Sequence, residues 1–207
     1  MPPRHHRALQ HLRTVDPRFG ALIERVGACA LTRERRGTNF QAVARSIVYQ
    51  QLSGKAAATI HGRFCALFAD GTPTAAPLLR LSDASLRGAG LSGQKTRYLR
   101  DLAAQTAAGS VPIETLDALS DEEVIRALTT VKGVGRWTAQ MFLMFRLGRP
   151  DVLPELDLGV QRGVQRLLGL RRLPPPKRVV TAGVRWAPYR TVASWYLWRL
   201  ADERVVS

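Results

Sequence analysis

Apolar residues recur along this chain with a period close to 3.6, and that repeat restricts it to helical folds. Phe40, Val43, Ala44, Ile47, Val48 and Leu52 fall at offsets of 3, 4, 7, 8 and 12 residues, a single stripe on one helix face. No run alternates apolar and polar residues for long enough to compete as a strand. The pattern predicts helices near 5–14, 17–27, 38–52, 54–69, 74–79, 83–88, 92–108, 112–118, 121–129, 136–147, 158–168, 176–184 and 188–203. Local start signals agree. Ser120 and Glu123 have the spacing of a capping box, Asp16-Pro17 puts proline just inside a helix start, and Ser82 and Ser92 suit the caps of the helices that follow them. Leu173-Pro174-Pro175-Pro176 is the one marked breaker. With 207 residues, 45% of them hydrophobic, the chain can bury one core or two small lobes sharing one. The expected fold is all-α, about a dozen short helices.

Thirty-one Lys and Arg against sixteen Asp and Glu leave a net charge of +15. A field of that sign draws polyanions, so nucleic acid is the expected partner. The basic residues are nearly all Arg, with only Lys55, Lys95, Lys132 and Lys177 as lysines, which a GC-rich coding bias would also produce. Cys29 and Cys65 belong to no CxxC pair, which excludes a zinc site or an iron–sulfur cluster built on cysteines. Buried free thiols are expected rather than a disulfide. The four histidines lack metal-ligand spacing, and His5 and His6 fall in a terminus expected to be mobile. The first residues, MPPRHHRALQ, contain no apolar core of a leader, and no stretch reaches membrane-span length. A soluble, intracellular monomer, cytoplasmic and nucleoid-associated, is the expectation.

The most informative segment runs from Ala127 to Gln165. A helix ending near Thr129 is followed by Val131-Lys132-Gly133-Val134-Gly135 and a second helix from Arg136. Gly133 and Gly135 are expected to take positive φ and let the backbone approach an object closely. The amides of the turn would then face outward at a helix N-terminus, a site suited to a phosphate. Val131 and Val134 would pin the turn to the core, and Lys132 and Arg136 add positive charge. Twenty-two positions beyond Gly135, Asp157 follows Val152-Leu153-Pro154 and opens another helix, Leu158-Gly159-Val160. Taken alone, Asp157 reads as a helix cap. A helix N-terminus also favours negative charge, so the cap and a catalytic carboxylate are compatible roles.

These residues resemble the helix-hairpin-helix DNA glycosylase superfamily, with its glycine-containing hairpin and following aspartate. GVGRWTA (133–139) together with SIVYQQLSGKAA (46–57) is similar to the alkylpurine branch, the 3-methyladenine DNA glycosylase II group. The resemblance covers about residues 15 to 204. It implies one glycosylase domain over 1–207 with two helical lobes, one about 38–145 and the other about 1–37 plus 146–207, and an active-site cleft between them. It implies that the hairpin (Lys132, Gly133, Val134, Gly135, Arg136, Thr138) holds double-stranded DNA and that Asp157 is catalytic. Lyase-competent members resemble GVGRKTA; here Trp137 stands at the lysine position, and an indole forms no Schiff base. The expected activity is therefore monofunctional, with no cofactor required and no iron–sulfur cluster. The resemblance also suggests a monovalent cation, Na+ or K+, on the carbonyls of Thr129, Val131 and Val134.

A base inside a stacked duplex is out of reach, so it must be flipped out and the gap filled. Gln51 and Leu52 occupy the segment resembling the family's wedge loop; packing at a helix end is the other reading of both. Lys55, and Gln94 with Lys95 in the Gly93-Gln94-Lys95 turn, are candidate phosphate contacts. An N3- or N7-alkylated purine carries positive charge and leaves readily, which suits one carboxylate without a partner acid. Aromatic faces favour such a cation by ~0.5–2 kcal/mol per contact. By resemblance Met141 and Trp198 line the base pocket, with Trp137 either joining them or packing in the core. Two other activities fit parts of the pattern: a non-catalytic hairpin protein that only binds DNA, and a bifunctional glycosylase/lyase for oxidised bases.

Overall fold

The structure, a computed structural model, describes residues 5–203, and among them there is no strand. Twelve α-helices follow in chain order: α1 (His6–Val15), α2 (Pro17–Val26), α3 (Asn39–Tyr49), α4 (Gly54–Cys65), α5 (Ala75–Arg80), α6 (Asp83–Gly88), α7 (Gly93–Ala107), α8 (Asp121–Thr129), α9 (Arg136–Met141), α10 (Leu158–Leu167), α11 (Pro176–Gly183) and α12 (Arg190–Asp202). Short 3-10 turns occupy Ile113–Ala118 and Val184–Trp186, and α9 continues in π register through Phe142–Leu147. The all-α expectation therefore holds. The chain divides into two compact units, residues 34–142 and residues 1–33 with 143–207.

In the unit 34–142, α3 presents Phe40, Val43, Ala44, Ile47 and Val48 to the interior, and α7 presents Leu99, Leu102 and Ala103. Each of the larger of these buried side chains (Phe, Val, Ile, Leu) contributes about 1.5–3 kcal/mol. The stripe ends there. Leu52, expected to continue it, lies past the last residue of α3 and is 38% exposed. The helix stops because Gln50 at its C-cap leaves helical geometry with ψ 132° and Gln51 turns left-handed at φ 56°. The serine caps form as the sequence implies: Ser82 accepts from the Ser85 N–H at 3.0 Å and Ser92 from the Lys95 N–H at 3.2 Å. Glu123 accepts from the Ser120 N–H at 2.8 Å, the return half of its capping box.

In the other unit, α1, α2, α10, α11 and α12 surround a core built on Leu12, Phe19, Leu22, Val160, Val164, Val179, Trp186, Tyr196 and Leu197. Asp16 caps α2 from a fully buried position. Its carboxylate receives both Nε and Nη2 of Arg18, at 2.7 and 2.8 Å, and Nε1 of Trp186 at 3.2 Å. Burial alone would raise this carboxyl; the hydrogen bonds from Arg18 and Trp186, with the Arg18 charge, outweigh it and hold it below the ordinary value. Cys29 and Cys65 form no disulfide, and both are half-buried rather than buried. No helix among the described residues is long and apolar enough to cross a membrane.

Candidate active site and nucleic-acid interface

The hairpin closes between α8 and α9. Val131 and Val134 are buried, and the Val134 N–H donates to the Val131 carbonyl at 3.0 Å. Gly133 has φ +81°, and a Cβ there would run into the ring of Tyr98. Only glycine meets both demands. Gly135 differs from expectation. Its backbone is extended (φ −92°, ψ 173°), and it is the N-cap of α9, where an added Cβ would meet nothing within 4 Å. It needs no left-handed freedom, and it brings no side chain to the first turn of α9. The first N–H groups of a helix have no partner within it.

The hairpin's two cations also differ from expectation, because carboxylates already hold them. The Lys132 N–H donates to Asp101 at 2.8 Å, and its Nζ lies 3.6 Å from the same carboxylate. Arg136 is bidentate on Glu122, at 2.8 and 3.2 Å, and its hydrogen bonding and charge hold Glu122 below the usual carboxyl value. A polar brace from α7 supports the turn: Gln105 Nε2 donates to Asp101 at 2.7 Å and to the Thr130 carbonyl at 3.0 Å, and Thr130 Oγ1 donates to Gln105 Oε1 at 2.8 Å.

The loop after α3 is tied to the hairpin by Gln50, whose Nε2 donates to the Gly133 carbonyl at 2.8 Å. Together they border a hollow of about 360 Å³ lined by Gln50, Gln51, Ser92, Gln94, Lys95, Tyr98, Gly133, Trp137 and Thr138. It gathers Gln51, Lys95, Gly133, Trp137 and Thr138, all singled out from the sequence, and adds Gln50 and Tyr98, which sequence reasoning missed. Lys95 lies in a helix and not in the turn expected for it. It sits in the first turn of α7, half-buried, with Nζ 2.7 Å from the Val48 carbonyl, and burial lowers its pKa. Gln94 Nε2 donates to Tyr98 Oη at 2.5 Å. Lys55 is exposed in the first turn of α4, and Leu52 projects beside it in sequence without lining the hollow. Trp137 is 44% exposed and Met141, one turn later on α9, is half-buried, so the core reading of Trp137 is excluded.

Asp157 belongs to the other unit. It is the N-cap of α10, and its Oδ1 accepts from the Val160 N–H and from Trp198 Nε1, each at 2.8 Å. α12 supplies most of this support. Asp151 receives the backbone N–H, Nε and Nη2 of Arg190, at 3.2, 2.7 and 2.8 Å. Burial opposes its ionisation, but the Arg190 hydrogen bonds prevail and lower its pKa. Thr191 Oγ1 accepts from the Val152 N–H at 3.0 Å and donates to the Arg149 carbonyl at 2.7 Å. The loop 149–157 is thus fastened to the first turn of α12 at one end and to Trp198 at the other. Trp198 stacks on Phe145 with centroids 5.9 Å apart and planes 19° apart. The sequence placed Trp198 in a base pocket; its N–H is committed to the carboxylate.

Two further glycines make this contact possible. A Cβ on Gly159 would fall 2.7 Å from Trp198 Cδ1, and one on Gly163 would collide with the Leu197 carbonyl. Their spacing of four puts both on the face of α10 that meets α12. That spacing was visible in the sequence, but its purpose was not.

Among the described residues, no group of three or more His, Cys, Asp or Glu is placed to hold a metal ion. Val131 O, one of the carbonyls expected to hold a cation, accepts from the Val134 N–H at 3.0 Å.

Comparison with known proteins identifies the family. The profile of the HhH-GPD superfamily base excision DNA repair protein family matches residues 44–188. The DNA-3-methyladenine glycosylase 1 of Schizosaccharomyces pombe is 35% identical over 198 residues, covering 93% of this chain and 87% of its own. A solved structure of the 3-methyladenine DNA glycosylase of that yeast in complex with abasic DNA superposes with a TM-score of 0.80 at 34% identity, over 93% of this chain and 95% of that one. A DNA-3-methyladenine glycosidase from Bacillus halodurans gives a TM-score of 0.85 at 39% identity, over 94% and 89%. The chain belongs to the HhH-GPD superfamily of base excision DNA repair proteins.

Proposed function

We propose that this protein is a monofunctional DNA glycosylase that removes alkylated purines of the 3-methyladenine and 7-methylguanine type. It turns the damaged nucleotide out of the duplex and hydrolyses its N-glycosidic bond. The observation that carries the reading is the seating of Asp157, a carboxylate at a helix N-terminus with one oxygen held by two donors. A carboxylate oriented in this way stabilises the oxocarbenium character of the sugar as the bond to the base breaks, and activates the water that completes hydrolysis. An alkylated purine leaves as a neutral base without a general acid, since its positive charge is discharged as the bond breaks. The names of the relatives support the same substrate class.

The remaining residues take roles around that step. The amides of Gly133, Gly135 and the first turn of α9 receive a backbone phosphate, and Lys132 and Arg136 add to its field through their outer faces. Gln51 and Leu52 fill the space the flipped nucleotide leaves. Lys55 meets a neighbouring phosphate, and Trp137 and Met141 offer a wall to a cationic base. Trp137 stands where a lyase would need an amine, so water completes the reaction. A monovalent cation, Na+ or K+, held by the carbonyls of Thr129, Val131 and Val134 would stiffen the turn and add charge beside the phosphate.

The test is release of free base from duplex DNA treated with a methylating agent. The parent protein is expected to release 3-methyladenine and 7-methylguanine, and Asp157→Asn to lose that activity by about 100-fold or more. Because Asn also caps helices well, the fold should survive. No release by the parent across several alkylated lesions would refute the enzyme; a covalent adduct trapped by borohydride would instead establish a lyase.

A further inference from the structure

The unit that carries Asp157 also contains a cavity of about 230 Å³ with no hairpin residue in it, lined by Arg18, Leu168, Arg178, Thr181, Ala182 and Arg185. Three guanidinium groups converge on it from α2, α11 and the 3-10 turn after α11. Arg18 is fixed in place by the fully buried Asp16, which receives both its Nε and its Nη2. That pair neutralises one charge. No ion pair engages Arg178 or Arg185 among the described residues. The cavity therefore carries about two uncompensated positive charges on donors that favour bidentate contact with oxyanions.

The sequence around the cavity points to the source of the anion. From Leu158 to Ala201 there are nine Lys and Arg residues and not one Asp or Glu. A 44-residue stretch without a carboxylate repels nothing along an extended polyanion, whereas a pocket for one small phosphate compound needs only its own lining.

We propose that Arg178 and Arg185, beside the clamped Arg18, form a second phosphate-binding site that takes a backbone phosphate of nucleic acid in addition to the hairpin's. The proposal rests on the protein acting on DNA, and the test separates the two. The affinity of the whole protein for an undamaged duplex is measured against salt concentration for the parent, for Arg178→Gln with Arg185→Gln, and for the same positions as Lys. Each phosphate contact contributes roughly 0.9 to the slope of log K against log salt. The Gln pair should lower the slope by about 1 and weaken binding about tenfold at low salt, and the Lys pair should recover most of both. Equal thermal stability of the three proteins attributes the change to contact rather than to unfolding.

An unchanged slope in the Gln pair, with a parent that releases alkylated bases, would overturn the second site alone. A parent that binds no DNA would overturn both readings. The last arm titrates inorganic phosphate. Stabilisation of the parent by millimolar phosphate that the Gln pair loses, alongside an unchanged DNA slope, would assign the cavity to a small phosphate ligand and overturn the nucleic-acid assignment.

Discussion

Two side chains show how much a single contact decides here. Trp198 gives its only polar hydrogen to Asp157 Oδ1 and rests its ring on Phe145. Trp198→Phe keeps an aromatic ring and removes that donor. If the indole N–H orients the carboxylate, the single-turnover rate of base release falls about tenfold, near 1.4 kcal/mol, with KM little changed. A ring needed only as a wall would tolerate phenylalanine. Asp16 has a structural counterpart of that role, as cap, ion-pair partner and acceptor for Trp186. Asp16→Asn keeps the cap and loses the charge, so a cost of about 1.5–3 kcal/mol is expected in denaturant unfolding. Its carboxyl is held below the usual value when folded, so its contribution is complete above the unfolded pKa of about 3.9 and is lost as pH falls through the lower folded value. The melting temperature of the parent should therefore decline below about pH 4 more steeply than that of Asp16→Asn. The difference will be partial, because Asp151 is depressed by its Arg190 bonds in the same direction.

Among elements, the two hairpin glycines have separate tasks, and substitution should separate them. Gly133→Ala places a Cβ in the Tyr98 ring at a positive φ, so loss of stability should accompany loss of DNA binding. Gly135→Ala meets open space in an extended conformation; it should change stability by no more than about 1 kcal/mol while weakening binding to all sequences alike. Normal affinity in Gly135→Ala would mean that the α9 amides do not grip phosphate. The α10–α12 pair depends on close approach, since the Leu197 carbonyl faces Gly163. Gly163→Ala cannot be relieved by rotating a side chain. A loss of about 1–3 kcal/mol is expected, with reduced base release as α12 and its Trp198 are pushed off Asp157.

For the molecule as a whole, the charge of +15 is the dominant long-range property, but its location is not what the hairpin sequence suggests. Lys132 and Arg136 face Asp101 and Glu122, while the 44 residues from Leu158 contain no acid at all. Binding to duplex DNA should fall steeply with salt, as it does when several phosphates are neutralised. Lys132→Gln should alter that slope little compared with removal of Arg178 and Arg185, a ranking that competition binding at several salt concentrations would check.

The sequence by itself determined the helical class, the placement of nearly every helix, the serine caps, and the hairpin-to-Asp157 spacing that marks the family. These are local: a 3.6-residue repeat and a cap depend on neighbours a few positions away, and a motif is carried in chain order. It misplaced the end of α3, gave Gly135 a conformation it does not need, and treated Lys95, Lys132 and Arg136 as unencumbered cations. The lysines' outcomes depend on groups far along the chain, the Val48 carbonyl 47 positions from Lys95 and Asp101, 31 positions from Lys132. The same holds for the bond from Trp198 to Asp157, which spans 41 positions and exists only because Gly159 and Gly163 let α10 and α12 come close. Only the tertiary structure decided which charges were already satisfied and which distant donor reaches the carboxylate, because a side chain's partner is set by packing and not by its place in the sequence.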